Sequence, residues 1–178
     1  AVNRRFGDFT GHLDRYPNVT FVTDEARSYI TRQKRKFDII QISLIDTWAA
    51  TAAGAFVLSE NSLYTVEAWK ALLTHLKPGG VLTVSRYYLA GSPTEAYRLT
   101  SLAAGTLRHL GVQNPRDCIM LIKHGAHKEG DQYPAGVGTI LVSQQPFSRT
   151  DQQIAADVAR RMAFDVVLSP TFSLDSTF

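Results

Sequence analysis

The residues of this chain that could do chemistry gather at two places. Asp24-Glu25-Ala26 follows the apolar run Val19-Thr-Phe-Val22, and Ser43 and Asp46 close the run that begins at Phe37. A carboxylate at the end of a strand can accept from an adenine amino group while neighbouring backbone groups meet the ring nitrogens. The same Asp24-Glu25 pair suits the N-cap or first turn of a helix starting at Ala26, where an acid bonds backbone N–H groups and meets the positive end of the dipole. One residue can serve both roles. Asp46 could orient or deprotonate an amine, or pair with a cationic substrate, although a loop aspartate bonding its own backbone is the plainer reading of its spacing. Ser43 has no His or Asp placed to activate it and lacks the Gly-x-Ser-x-Gly elbow of a hydrolase. Of the five histidines only His124-Gly-Ala-His127 has metal-like spacing, and no third ligand accompanies it. Tyr64 and Trp69 fall at helix positions, where core packing is the default.

Such groups need a frame, and the hydrophobic pattern supplies one. Phe37–Ser43 is nearly continuous apolar sequence, as in a parallel strand covered on both faces. A loop rich in small residues runs from Leu44 to Glu60 and suits a lid or pocket wall. Val66, Trp69, Leu72, Leu73 and Leu76 then recur at helical spacing behind a cap at Ser62 or Thr65. Lys77-Pro-Gly-Gly80 ends that helix and Val81–Ser85 is the next buried strand. Residues 1–13 read as helix, Val19–Val22 as a short strand and Ala26 to about Lys34 as helix. Further helices are expected at Thr94–Leu110 and about Asp151–Phe164, with strands at Cys118–Lys123 and Thr139–Ser143. The alternation predicts a doubly wound α/β fold, in which ligands bind outside the carboxyl ends of the strands. Three segments reach that edge: Thr23–Ala26, Ser43–Trp48 and Ser85–Tyr88.

Composition narrows the setting. The chain has 178 residues, 44% of them hydrophobic, enough for one domain with a real core. Its formal charge of +3 is scattered apart from Arg32-Gln-Lys-Arg-Lys36. That run lacks the aromatic platform of a nucleic-acid site and reads as a solvated helix end, so no nucleic-acid partner is expected. A single cysteine, Cys118, excludes an internal disulfide and a cysteine-built metal site, so no metal is expected and a reducing cytoplasm fits. No apolar run reaches the length of a membrane span, and no signal peptide opens the chain. Both ends read as cut, the first inside a helix and the tail SPTFSLDSTF without a packed closing element. Residues 1–178 are therefore expected to be a partial domain, truncated at both ends.

Phe37-Asp-Ile-Ile-Gln-Ile-Ser-Leu-Ile-Asp46, with Leu63-Tyr64 and Lys77-Pro-Gly-Gly80, resembles the spermidine synthase family, the polyamine aminopropyltransferases. The loop Asp46-Thr-Trp-Ala-Ala-Thr-Ala-Ala-Gly-Ala-Phe56 is similar to that of a divergent bacterial branch, in some members of which the domain adjoins a multi-helix membrane region. The resemblance covers nearly the whole chain and is looser after residue 110. It implies a Rossmann-like methyltransferase sheet, incomplete at its N-terminal half. The glycine-rich turn and the acid that holds the ribose hydroxyls would precede residue 1, so this stretch alone is expected to bind the cofactor poorly and to be inactive.

Position by position, Asp24-Glu25-Ala26 falls where the family has Gly-Asp-Gly, whose aspartate contacts adenine. Register puts Glu25 at that aspartate, with Asp24 as the neighbouring alternative. The family's Asp-x-x-Asp pair, whose first acid helps deprotonate the attacking amine, becomes Ser43 and Asp46. A serine hydroxyl is no base near neutral pH without a partner, which is the main departure. Tyr133-Pro-Ala-Gly136 resembles a Tyr-Pro-x-Gly segment on the polyamine side of the cleft, which makes Tyr133, with Tyr64 and Asp46, a substrate contact. Arg86 falls where the synthases carry polar or acidic groups, and a cation there disfavours a polyamine.

The resemblance thus implies a transferase that moves an aminopropyl group from decarboxylated S-adenosylmethionine to a small-molecule amine. Catalytic roles fall to Asp46 and Ser43, and cofactor contacts to Asp24, Glu25, Ala26 and Ser43. The altered acid pair leaves two alternatives open: a methyltransferase using S-adenosylmethionine, or a catalytically degenerate nucleoside-binding domain. A homo-oligomer and a membrane region elsewhere in the parent protein are compatible with either.

Overall fold

A computed structural model describes residues 5–44, 61–89, 93–125, 135–174 and 176–178. Its centre is a six-stranded sheet in the order β1-β2-β4-β3-β5-β6. The strands are β1 (Phe37–Ser43), β2 (Leu76–Leu89), β3 (Ile119–His124), β4 (Ala135–Val142), β5 (Asp165–Ser169) and β6 (Phe172–Ser173). The helices are α1 (Gly7–Thr10), α2 (Ala26–Thr31), α3 (Val66–Thr74), α4 (Thr94–His109) and α5 (Arg149–Arg161). β1 and β2 run parallel, and every later pairing is antiparallel. The fold is mixed α/β, as the alternation predicts.

One face of the sheet carries the main core. Leu82 and Val84 of β2, Ile140 and Val142 of β4, and Ile119 and Leu121 of β3 all lie within it. Trp69, Leu72 and Leu73 of α3 and Leu99, Ala103 and Leu107 of α4 cover them from above. Their three- and four-residue spacing puts each helix's apolar stripe on the sheet. Thr65 caps α3, its hydroxyl accepting from the Ala68 N–H at 3.2 Å. On the opposite face α5 lies beside the sheet, where Ala155 and Val158 line a groove with Met120, Ile122 and Leu141. Ser148 and Asp151 start α5 with a reciprocal capping box.

Lys77-Pro-Gly-Gly80 does more than end a helix. Phe37 is registered with Leu76 but Ile39 with Val81, so four residues of β2 bulge out between neighbouring rungs of the β1 ladder. Gly79 sits at φ 74° to make the bend, and the Phe37 N–H donates to the His75 carbonyl at 2.9 Å on the near side of it. Lys77 pairs across to Asp38 at 2.8 Å.

Four expectations are corrected. Val19–Val22 forms no ladder among the described residues, and Phe21 and Val22 are more than half exposed. β-propensity expresses fit to a half-buried pleated surface, and these side chains have none to fit. The described part of the opening segment is not one continuous helix: α1 is a single turn closed by Gly11 at φ 68°. β1 is not covered on both faces, since Ile39 is 64% exposed while Ile42 is buried. The tail is packed: β5 and β6 extend the sheet, Val167 and Leu168 are buried, and the Phe178 ring meets Tyr97 at 4.7 Å.

Candidate functional site

The carboxyl ends of β1 and β2 lie side by side. Ser43 is in register with Ser85, and Ser85 in turn with Thr139 of the antiparallel β4. Register partners share a face, so three hydroxyl side chains form a row across three strands. Ser85 and Thr139 bond each other at 2.8 Å, whereas Ser43 is exposed at the end of the row. The next residue, Leu44, stands at φ 40°, a left-handed conformation uncommon for a branched side chain. Its N–H donates to the Ser85 carbonyl at 3.3 Å, so the chain turns out of β1 while still tied to β2. Strained backbone of this kind clusters at functional sites.

Arg86, one residue beyond Ser85, points to the other face and joins three elements. Its guanidinium lies 4.6 Å over the Tyr64 ring and its Nη2 donates to Glu95 Oε2 at 2.9 Å, in the first turn of α4. The other oxygen of Glu95 accepts from Arg98 at 3.1 Å. The Arg86 side chain is 15% exposed, and both the stack and the ion pair hold it in place. Tyr64 is the platform on which Arg86 rests. Glu95 escaped the sequence reading because an acid in a helix's first turn is ordinary; only the fold shows it beside Arg86.

The acidic pair before α2 is built into local structure. Both carboxylate oxygens of Glu25 are used, accepting from the Arg27 N–H at 2.9 Å and the Ser28 N–H at 2.7 Å. The Arg27 N–H first, then the Ser28 hydroxyl and N–H, hold its carboxyl below the ordinary glutamate value. Asp24 accepts from the Glu25 N–H at 2.9 Å and pairs with Arg32 at the far end of the helix. α2 packs against α3 and the short turn Asn61–Leu63 that leads into it. The Glu67 carboxyl in the first turn of α3 also lies below its ordinary value. Its own backbone N–H and the Thr65 hydroxyl are the larger causes, and Arg27 of α2 adds to them. α2 therefore lies beside the turn that precedes Tyr64.

A carboxylate offers about four lone-pair sites, so the capping bonds leave Glu25 able to accept from an adenine amino group as well. Asp46, Tyr133 and His127 lie outside the described residues. His124 meets the Phe164 ring edge-on at 5.1 Å. Among the described residues no three metal-ligating side chains come together, and no helix is long and apolar enough to cross a membrane.

With this geometry in hand, comparison with known proteins bears on the fold. No family model matches the chain. Among solved structures it is similar to a probable spermidine synthase from Corynebacterium glutamicum, with a TM-score of 0.53 and 16% identity over 82% of this chain. The chain shares that protein's α/β fold. It spans only 45% of that protein's length. A precorrin 8W decarboxylase from Methanobacterium thermoautotrophicum aligns over 77% of this chain and 63% of its own, at 20% identity and a TM-score of 0.41. At these identities the likeness concerns the fold and leaves the chemistry to the residues.

Proposed function

We propose that this chain is part of a transferase of the spermidine synthase type, which moves an aminopropyl group from decarboxylated S-adenosylmethionine to an amine. The observation that carries the reading is the paired, in-register end of β1 and β2, with Ser43 and the strained Leu44 at its lip and Arg86 stacked on Tyr64 beside it. The fold likeness to a spermidine synthase supports it. The reaction is a direct displacement. The acceptor nitrogen's lone pair attacks the methylene beside the sulfonium, the carbon–sulfur bond breaks toward sulfur, and the nucleoside leaves as a neutral thioether. Orientation supplies much of the rate. The nitrogen's excess proton passes to a base, for which Asp46 is the acid in sequence reach and Ser43 is unsuited. Glu25, or Asp24 beside it, takes the adenine edge, and Tyr133 the acceptor side.

Methyl transfer from S-adenosylmethionine is the second reading. Ser43 in place of an acid and Arg86 at the strand end both favour an acceptor other than a polyamine.

The test is turnover by the intact protein with each donor, followed by mass spectrometry of the acceptor. A mass gain of one aminopropyl group, lost by roughly 10²-fold or more in Asp46→Asn, supports the first reading. A methylated product supports the second, and Asp46→Asn with undiminished aminopropyl transfer removes Asp46 from the mechanism.

A further inference from the structure

We propose that the second face of the sheet, beneath the first turns of α5, holds a binding site for an amphipathic carboxylate, a single acid group on an aliphatic or aryl tail. The site goes beyond the transferase reading and is independent of it. Among the described residues none of its lining belongs to the β1–β2 edge.

The site begins with an irregularity in β5. Leu121 of β3 is in register with Leu168, but Ile122 is in register with Val166 rather than Val167, so Val167 is an extra residue. A bulge of this kind re-aims the side chains around it. Leu168 stays in the main core beside Leu121, while Val166 and Ser169 both border the cavity on the opposite face. In a regular strand, residues three apart would lie on opposite faces. The cavity has a volume of about 490 Å³, with Met120 and Ile122 of β3 as its floor and Phe172 and Ala155 as walls. A volume of that order suits a small-molecule ligand. A second cavity of about 480 Å³ adjoins it at Met120, Ile122 and Ala155, which gives an apolar tail further room.

Some polar groups of the lining bond within the chain. The Thr171 hydroxyl donates to Gln152 Oε1 at 2.9 Å, and Gln152 Nε2 donates to the Phe147 carbonyl at 3.2 Å. Ser169 and Arg149 are different. Ser169 is only 7% exposed, yet its hydroxyl has no hydrogen-bond partner among the described residues. A hydroxyl so nearly buried is ordinarily bonded. Arg149, the first residue of α5, enters no ion pair among the described residues and is the one charged residue they contribute to the lining. It sits where the helix dipole adds to its positive charge. Asp151, the acid of the same turn, is held by Ser148 and borders the adjoining cavity instead. A guanidinium and a free hydroxyl donor beside an apolar floor are complementary to a carboxylate with an apolar tail. An ammonium there would meet the charge of Arg149, and a neutral alcohol would leave that charge unpaired.

The experiment measures octanoate binding to the protein by calorimetry and by NMR of ¹³C-methyl-labelled methionine. Octanoate should bind with a Kd of about 1 mM or below. It should shift the Met120 methyl on the floor and leave Met162, exposed past the other end of α5, unmoved. Arg149→Gln should weaken octanoate about tenfold and Ser169→Ala about threefold. Octanol should bind the wild type no better than octanoate binds Arg149→Gln. Arg149 is exposed, so Arg149→Gln should fold, which circular dichroism checks. The proposal is overturned by a lack of saturable octanoate binding, by binding that Arg149→Gln leaves unchanged, by octanol binding as tightly as octanoate, or by a Met120 methyl that does not move. None of these outcomes bears on aminopropyl transfer, which is read from the acceptor's mass.

Discussion

The Lys77-Pro-Gly-Gly80 bulge offers a test in which two adjacent glycines should fail for different reasons. A Cβ on Gly80 would lie 3.0 Å from the carbonyl oxygens of Lys77 and Phe37 and 3.1 Å from that of Asp38. All three are backbone atoms, and two belong to the start of β1, so relief requires β1 and β2 to move apart. Overpacking of this kind costs typically about 1–3 kcal/mol. A Cβ on Gly79 meets nothing nearer than Gln145 Oε1 at 3.9 Å, but this residue sits at φ 74°. There alanine incurs roughly 1–2 kcal/mol of left-handed strain, offset by about 0.4–1 kcal/mol from a stiffer unfolded chain. Gly80→Ala should therefore lower stability by about 2 kcal/mol, or about 4–8 °C in Tm for a chain of this size, and Gly79→Ala by about half as much. Asn tolerates the left-handed region, so Gly79→Asn should recover most of the loss while Gly80→Asn should be worse than Gly80→Ala. Urea unfolding followed by circular dichroism on the four variants reads these differences directly. A stable Gly80→Ala, or a Gly79→Asn as damaging as Gly79→Ala, would refute the assignment of sterics to one glycine and backbone conformation to the other.

Two further outcomes follow from the same physical terms. Trp69 is fully buried and its indole N–H has no partner among the described residues; Trp69→Ala should cost about 3–5 kcal/mol, but Trp69→Phe far less in the same unfolding assay, because it removes an unsatisfied donor along with the second ring. The carboxyls of Glu25, Asp38, Glu67 and Asp151 all lie below their ordinary values. A depressed carboxyl stabilises the fold above its unfolded value and loses that contribution as pH falls through its folded value, so the urea midpoint should hold from pH 7 to about 5 and drop below about 4. Ser148→Ala, which removes the hydroxyl donor to Asp151, should make that acid loss shallower.

How much of this was legible in the sequence depends on whether a feature is local. The α3 stripe from Val66 to Leu73, a cap at Thr65 (one of the two candidates) and the buried run Val81–Ser85 are periodic or short-range signals that the structure places as expected, whereas Leu76, read with the helix, opens β2. Val19–Val22 misled because a β-rich tetrapeptide says nothing about whether a partner strand is available. β5 was missed for the converse reason: Asp165–Ser169 is short and follows a helix without a turn signature, and only its pairing with β3 makes it a strand. At the site, Ser43 and Arg86 stood out by type and position. Glu95 and Thr139 did not, because each becomes part of the edge through a contact with a residue nine or 54 positions away.

The outer edge of β1 has a consequence for handling the chain. Among the described residues nothing pairs with it, and Ile39 lies two-thirds exposed beside it. A row of open N–H and C=O groups next to a bare isoleucine is a template on which another strand can add. Asp38 and Lys36, charged at the base of the strand, act as gatekeepers, but Ile39–Ser43 carries no charge at all. Self-association of the isolated chain should therefore begin at this strand and grow with concentration. A lysine placed at Ile39 is the substitution that should keep it monomeric.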